Sequence, residues 1–224
     1  MMSSLAAIVR QLGPCAVAVG LTLAGGCGAL FPKATPSPSF YALDRALDKP
    51  GLGREVASAE SESEPTLIVN PSSAAAGFDS QHMVYVRGPH AREYFAHTEW
   101  VDTPARMLAP LIVTAIEAAG GFRAVVRSPS AAAADIRLDT EIVRLEQDFT
   151  ETPSRVRFTL RAHLVDDATR SVIATREFDI AVAASGDNPR AGAMAANTAV
   201  QDVLSKLGSL CKEAAGRWTR PVKG

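Results

Sequence analysis

Apolar and polar positions change period several times along the chain, and each period predicts an element. Phe40-Tyr41-Ala42-Leu43 is a short apolar island that reads as a first edge strand. Thr66–Asn70 reads as a strand closed by Pro71, which has no amide to offer a ladder. His82–Arg87 and Arg92–His97 are two further strands, with the Gly88-Pro89 turn between them. Leu108, Leu111, Ile112, Ala115 and Ala119 then share one face at helical spacing. Asp102 or Thr103 is placed to cap this helix and Pro104 suits its first position, where a missing amide costs nothing. Pro110 should kink it, and Gly120-Gly121 should end it. Phe122–Val126 follows as a short strand.

From Ile136 the period becomes two. Ile136, Leu138, Thr140 and Ile142 alternate with polar neighbours, and the apolar phase then slips to Val143, Leu145 and Phe149. A one-residue slip within a strand predicts a bulge. In the next strand Val156, Phe158, Leu160, Ala162 and Leu164 face one way, and Arg155, Arg157, Thr159, Arg161 and His163 the other. The Asp166–Thr169 turn leads into Val172–Ala183, where Thr175, Glu177 and Asp179 make a polar row able to pair with the arginines across the strands. A solvated sheet face is the preferred reading of the arginine row over a ligand site. The last helix is predicted over about residues 188–215. Asn188 caps it, Ala196, Val200, Val203, Leu207 and Leu210 form its apolar stripe, and Gly192 and Gly208 permit close approach. The pattern amounts to one α/β domain (α+β-like), with a mixed, mostly antiparallel sheet and two main helices on its dry face. The tail, 216–224, is basic and offers Trp218 as an exposed aromatic.

The N-terminal segment follows another logic. Leu12–Gly26 is apolar and uncharged, preceded by Arg10 and interrupted by four glycines and Pro14. It is shorter than the roughly 20 residues of a membrane-spanning helix and glycine-rich for a core helix, so it reads as an export signal. Ala24-Gly25-Gly26-Cys27 resembles a bacterial lipobox, whose cysteine is acylated and becomes the mature N-terminus. Leucine usually stands three residues before that cysteine; here Ala24 does, with Leu23 one place earlier. An ordinary secretory cut between Ala24 and Ala29 is the alternative. With residues 1–26 removed, 198 residues remain with a formal charge of −2. Cys15 is lost, Cys27 becomes the anchor, and Cys211 is left without an intramolecular disulfide partner. Residues 27–39 read as the lipidated terminus and a proline-punctuated tether, 40–215 as the folded domain, and 44–65 as a polar mobile loop within it.

Composition narrows the function. A formal charge of −1 and 6% aromatics argue against a nucleic-acid footprint or a base-stacking platform. There is no phosphate loop, no G-x-S-x-G elbow and no metal-ligand spacing among His82, His90, His97 and His163. No catalytic residue, metal or cofactor is assigned.

The run Glu93–Pro110, with Tyr94, Trp100, Pro104 and Leu108, followed by Gly121-Phe122, is similar to the signature of ABC-type transport auxiliary lipoproteins. The strand from Ala134 to Phe149 and the early Phe40–Leu43 fit the same family. The resemblance implies a small α/β domain with two helices against a mixed sheet. It also implies a non-enzymatic lipoprotein facing the periplasm and anchored in the membrane through Cys27. Its implied partners are an ABC transporter permease/ATPase complex and a substrate-binding protein with a mammalian-cell-entry-type domain. The implied cargo is lipid or another hydrophobic molecule moving between inner and outer membranes. Related members can form homo-oligomeric rings, so the resemblance leaves a homo-oligomer open for this chain. Gly28 stands where enteric bacteria use aspartate for inner-membrane retention, which points to the outer membrane; an inner-membrane anchor is the alternative. Tyr94 and Trp100 are candidates for a partner interface or, structurally, for covering the start of the helix. A structural envelope lipoprotein and a periplasmic hydrolase are the competing functional classes.

Overall fold

The computed structural model describes residues 37–44 and 64–219. The export signal, Cys27, most of the tether, residues 45–63 of the polar loop and the last five residues lie outside that set. Among the described residues nine strands form one open mixed sheet, with two helices packed on it.

The sheet is organised by β7 (Ile136–Asp148), β8 (Arg155–Asp166) and β9 (Val172–Ala183), its three longest strands, which pair antiparallel in sequence order. The free side of β7 is filled by three short parallel strands laid end to end. β2 (Thr66–Val69) pairs with Ile136–Leu138, β3 (Ser73–Ala74) with Glu141–Ile142, and β4 (His82–Val86) with Glu146–Asp148. Residues 66–86 therefore run along β7 as one interrupted strand, broken at Pro71 and at the turn where Gly77 takes φ +92°. β5 (Glu93–Trp100) pairs antiparallel with β4, β1 (Ser39–Tyr41) parallel with β5, and β6 (Ala124–Arg127) parallel with β2. Helix α1 (Pro104–Ala119) connects β5 to β6, and α2 (Pro189–Arg217) follows β9.

The slip of phase in β7 is a bulge. Register shifts between Ile142 and Arg144, leaving Val143 without a partner in the β8 ladder. Before it the even positions face the helices; after it the odd positions do, so Ile142 and Leu145 both reach the core. Phe158, Leu160, Ala162 and Leu164 of β8 are fully buried on the same face, beneath Ala199, Val203, Leu207 and Cys211 of α2, which are equally buried. Burial pushes the Cys211 thiol up to about 12, so at neutral pH it is an inert small apolar group.

Both helix starts follow local chemistry, one with a difference. Asn188 caps α2, its side-chain oxygen accepting from the Ala191 amide at 3.0 Å. Thr103 is the N-cap residue of α1, but its side chain makes no capping bond. Asp102 instead accepts from the Thr103 amide at 2.7 Å and pairs with Arg106 at 3.3 Å. Helix α1 runs through Pro110 and ends where Gly120 and Gly121 take successive positive φ values of 74° and 92°. The two helices meet at Gly208, where a Cβ would lie 3.0 Å from Ala119 Cβ and 3.1 Å from Ala115 O. Asn197 of α2 ties down the early chain, accepting from the Asp44 amide and donating to Ala42 O, both at 2.9 Å.

Two sequence expectations need correction. The strand expected from Phe122 begins at Ala124, because the turn after Gly121 takes two more residues. Trp218 is not an exposed tail residue: it packs against the core, and its indole N–H donates to Asp166 Oδ2 at 2.8 Å. Hydrogen bonds from the Thr169 amide and from Trp218 hold the Asp166 carboxyl below the usual carboxylate value of 3.8. A carboxylate whose folded pKa is depressed stabilises the fold above its unfolded pKa, and that contribution is lost as pH falls through the folded value. Trp218→Phe removes the indole donor and should cost about 1.5 kcal/mol at pH 7, as for hydrogen bonds to charged groups. Urea denaturation should show this cost narrowing as pH drops below the carboxylate range. An unchanged gap at pH 7 and pH 2 would contradict the assignment.

Candidate interaction surfaces

Three surfaces deserve a chemical reading. The first surrounds the aromatic residues singled out in the sequence. The structure separates them: Tyr94 is 48% exposed, whereas Trp100 is 3% exposed within the core. Trp100 thus supports the junction between β5 and α1, and of the two only Tyr94 is accessible to a partner. The Tyr94 ring lies 4.8 Å from that of His82, whose Nδ1 is 3.7 Å from Glu99. Phe40 and Val101 are also exposed large apolar residues, and the Val101 amide donates to Tyr41 O beside Phe40. Deeper in the same hairpin Tyr85 donates to Glu93 at 2.7 Å, and that bond raises the phenol above its ordinary pKa. Among the described residues no group of three or more His, Cys, Asp or Glu side chains is placed to hold a metal ion.

The second surface is a groove of about 420 Å³ between α1 and α2, walled by Leu111, Ala115, Ala118, Val200 and Leu204. Thr114 and Ser209 also line it, but their hydroxyls donate back to the carbonyls of Pro110 and Ser205. Ser205 and Gln201 add polar groups at the wall, but the groove presents mainly aliphatic surface. Among the described residues Asp44 is its only ionisable lining residue. Such a wall suits an apolar group.

The third is the sheet face turned away from α2. The two polar rows predicted from the strands meet in register, Arg161 opposite Glu177, Thr159 opposite Asp179 and His163 opposite Thr175. Arg161 bridges β7 and β9, donating to Glu141 at 2.9 Å and to Glu177 at 2.8 Å, and the Glu177 bond leads in raising its pKa. Thr159 donates to Asp179 at 2.8 Å. This end of the face is a closed array of pairs. Toward the β4–β5 loop the face opens into a cleft of about 430 Å³ that includes Arg92, Arg144 and Arg157. Sequence reading placed Arg157 in the polar row but had no way to join it to Arg92 and Arg144, which arrive from other segments.

The sequence model of the ABC-type transport auxiliary lipoprotein component matches residues 47–207. The chain belongs to that family. The match takes in β2 through most of α2 and so includes all of the cleft and nearly all of the inter-helix groove. Among solved structures, this auxiliary lipoprotein is similar to protein XCC0632 from Xanthomonas campestris, with TM-score 0.63 and 25% identity over 68% of this chain and 87% of that one. It also resembles the crystal structure of an uncharacterised protein, with TM-score 0.58 and 11% identity over 80% and 98% of the two chains. That second likeness speaks to the fold alone. No curated protein matches the chain. Family membership makes the protein a lipoprotein component of ABC-type transport, which places it at a membrane of the cell envelope. No described helix is long and apolar enough to cross that membrane.

Proposed function

We propose that this auxiliary lipoprotein is a non-enzymatic accessory that helps move lipid or another hydrophobic molecule between the inner and outer membranes. The observation that carries the reading is the family match across residues 47–207. In this reading residues 1–26 direct export and Cys27 is acylated. The domain faces the periplasm on a tether, anchored in the outer membrane. Its partners are the permease/ATPase complex and a substrate-binding protein with a mammalian-cell-entry-type domain, and Tyr94 lies on the surface that meets them. Further support comes from the chemistry available. The inter-helix groove is apolar, and the paired charges on the opposite sheet face are committed to each other rather than to a catalytic task.

Anchoring is central, because one acyl chain binds a bilayer only marginally, at about 0.8 kcal/mol per buried methylene, and durable attachment takes more than one. Cells lacking the chain should lose resistance to solvents or detergents. The full chain should restore it, and Cys27→Ala should not, while remaining folded and leaving the membrane fraction. A Cys27→Ala protein that stays with membranes, together with an original protein carrying no acyl mass, would contradict the anchor. Unchanged barrier properties on deletion would contradict the transport role.

A further inference from the structure

The cleft beside the β4–β5 loop holds three guanidinium groups that the fold engages mainly on one side, through Nε. A guanidinium carries five N–H donors in a rigid fork. Arg92 makes one hydrogen bond, from Nε to Glu146 Oε2 at 3.1 Å. Arg144 Nε is 3.7 Å from Glu146 Oε1, an ion pair too long for a hydrogen bond. Arg157 Nε lies 3.2 Å from Asp148 Oδ2 yet is buried without an aligned hydrogen bond. The Arg92 guanidinium also lies over the Phe78 ring, 5.3 Å from its centroid. Among the described residues, no terminal nitrogen of these three side chains makes a hydrogen bond, whereas Arg161 on the same face engages Nε, Nη1 and Nη2.

The two carboxylates explain why the arginines are held so. Glu146 is 7% exposed and receives both Arg92 and Arg144 at their Nε atoms. Asp148 is fixed by Thr150, whose amide and hydroxyl both donate to its Oδ1. Burial alone would raise the Asp148 pKa, but the Thr150 bonds and the charge of Arg157 outweigh it and keep the carboxylate ionised at neutral pH. Two negative charges thus position three positive ones, and one positive charge is left over. The arginines remain 53%, 35% and 40% exposed at positions 92, 144 and 157, so their forks are open to solvent.

We infer that this cleft binds a phosphate group, recognised by the free forks of Arg92, Arg144 and Arg157. Three forks lining one cleft suit an anion with several terminal oxygens, whereas a planar carboxylate is met by one fork. The phosphate could be carried by a lipid headgroup or be free in solution. The inference rests on the cleft alone and holds whether or not the chain works with a transporter.

The test is calorimetric titration of the full-length, detergent-purified protein with inorganic phosphate, with dihexanoyl phosphatidic acid and with acetate. Phosphate or phosphatidic acid should bind at least tenfold more tightly than acetate. Arg144→Gln and Arg157→Gln should each weaken that binding at least tenfold, and Arg161→Gln should leave it unchanged. Arg144→Lys, which keeps the charge and loses the fork, should lie between, and melting curves identify any variant that has lost its fold. Tighter binding of phosphatidic acid than of phosphate makes a lipid headgroup the source; equal binding makes it free phosphate. Absence of binding by both, equal binding of acetate, or an equal loss in Arg161→Gln would overturn the site.

Discussion

Truncation of Phe158 to alanine is expected to destabilise the fold by about 3–5 kcal/mol, the usual range for a buried phenylalanine. Phe158 is fully buried in the first half of β8, opposite Leu145 on β7 and Ile180 on β9. Both neighbouring strands and α2 rest on this row, so the cavity has rigid walls on several sides and little freedom to collapse. The midpoint of urea unfolding should fall with its slope unchanged, since the surface exposed on unfolding is nearly the same. A loss under 1 kcal/mol would mean that the helices do not rest on β8 as described.

The second large effect is expected at Gly192. A Cβ there would overlap Gln147 Oε1 and stand 2.8 Å from its Cδ. Gln147 is 3% exposed, and its amide nitrogen donates to Ser154 Oγ at 2.9 Å and to Asn188 O at 3.4 Å. The glutamine therefore links β7, the loop before β8 and the cap of α2, and moving it breaks those bonds. Gly192→Val should cost about 3 kcal/mol, the upper part of the overpacking range. Gly192→Ala should cost less, because the glutamine amide is the end of a flexible chain and alanine is worth about 1 kcal/mol over glycine in a helix. Gln147→Ala combined with Gly192→Val should be less destabilising than the two singles added, as for residues in contact. Strict additivity would place the strain elsewhere.

Much of this architecture is legible from local pattern. The period-two rows of β8 and β9 predict both the buried face and the cross-strand pairs, since side chains alternate and long antiparallel neighbours meet in sequence order. The phase slip after Ile142 announces the bulge for the same reason. Asn188 and Pro189 mark the start of α2, and Gly192 and Gly208 are glycine because another element stands where a side chain would be. The misses share a different cause. β3 is two residues long and exists only because β7 lies beside it, so no period can reveal it. The parallel placement of β2, β3 and β4 along β7 joins segments about 70 residues apart. Trp218 finds Asp166, 52 positions away, and so leaves the tail for the core. Tyr94 and Trp100 look alike as aromatics ahead of the first helix, but only the fold extends the strand to Trp100 and shows that one is exposed and the other buried. Arg92, Arg144 and Arg157 form a cluster only once β4, β5, β7 and β8 are assembled.

If this chain works with a membrane transporter, the proteins it binds in the membrane will include that transporter. The acylated chain should be captured gently from membranes with its anchor intact, and mass spectrometry should identify the proteins and lipids that come with it. An ABC-type permease and ATPase should be recovered together with a protein of the mammalian-cell-entry type, all depleted when Cys27→Ala is used as bait. Recovery of the lipidated, folded chain with cell-wall or other envelope proteins and none of those transporter components would contradict it.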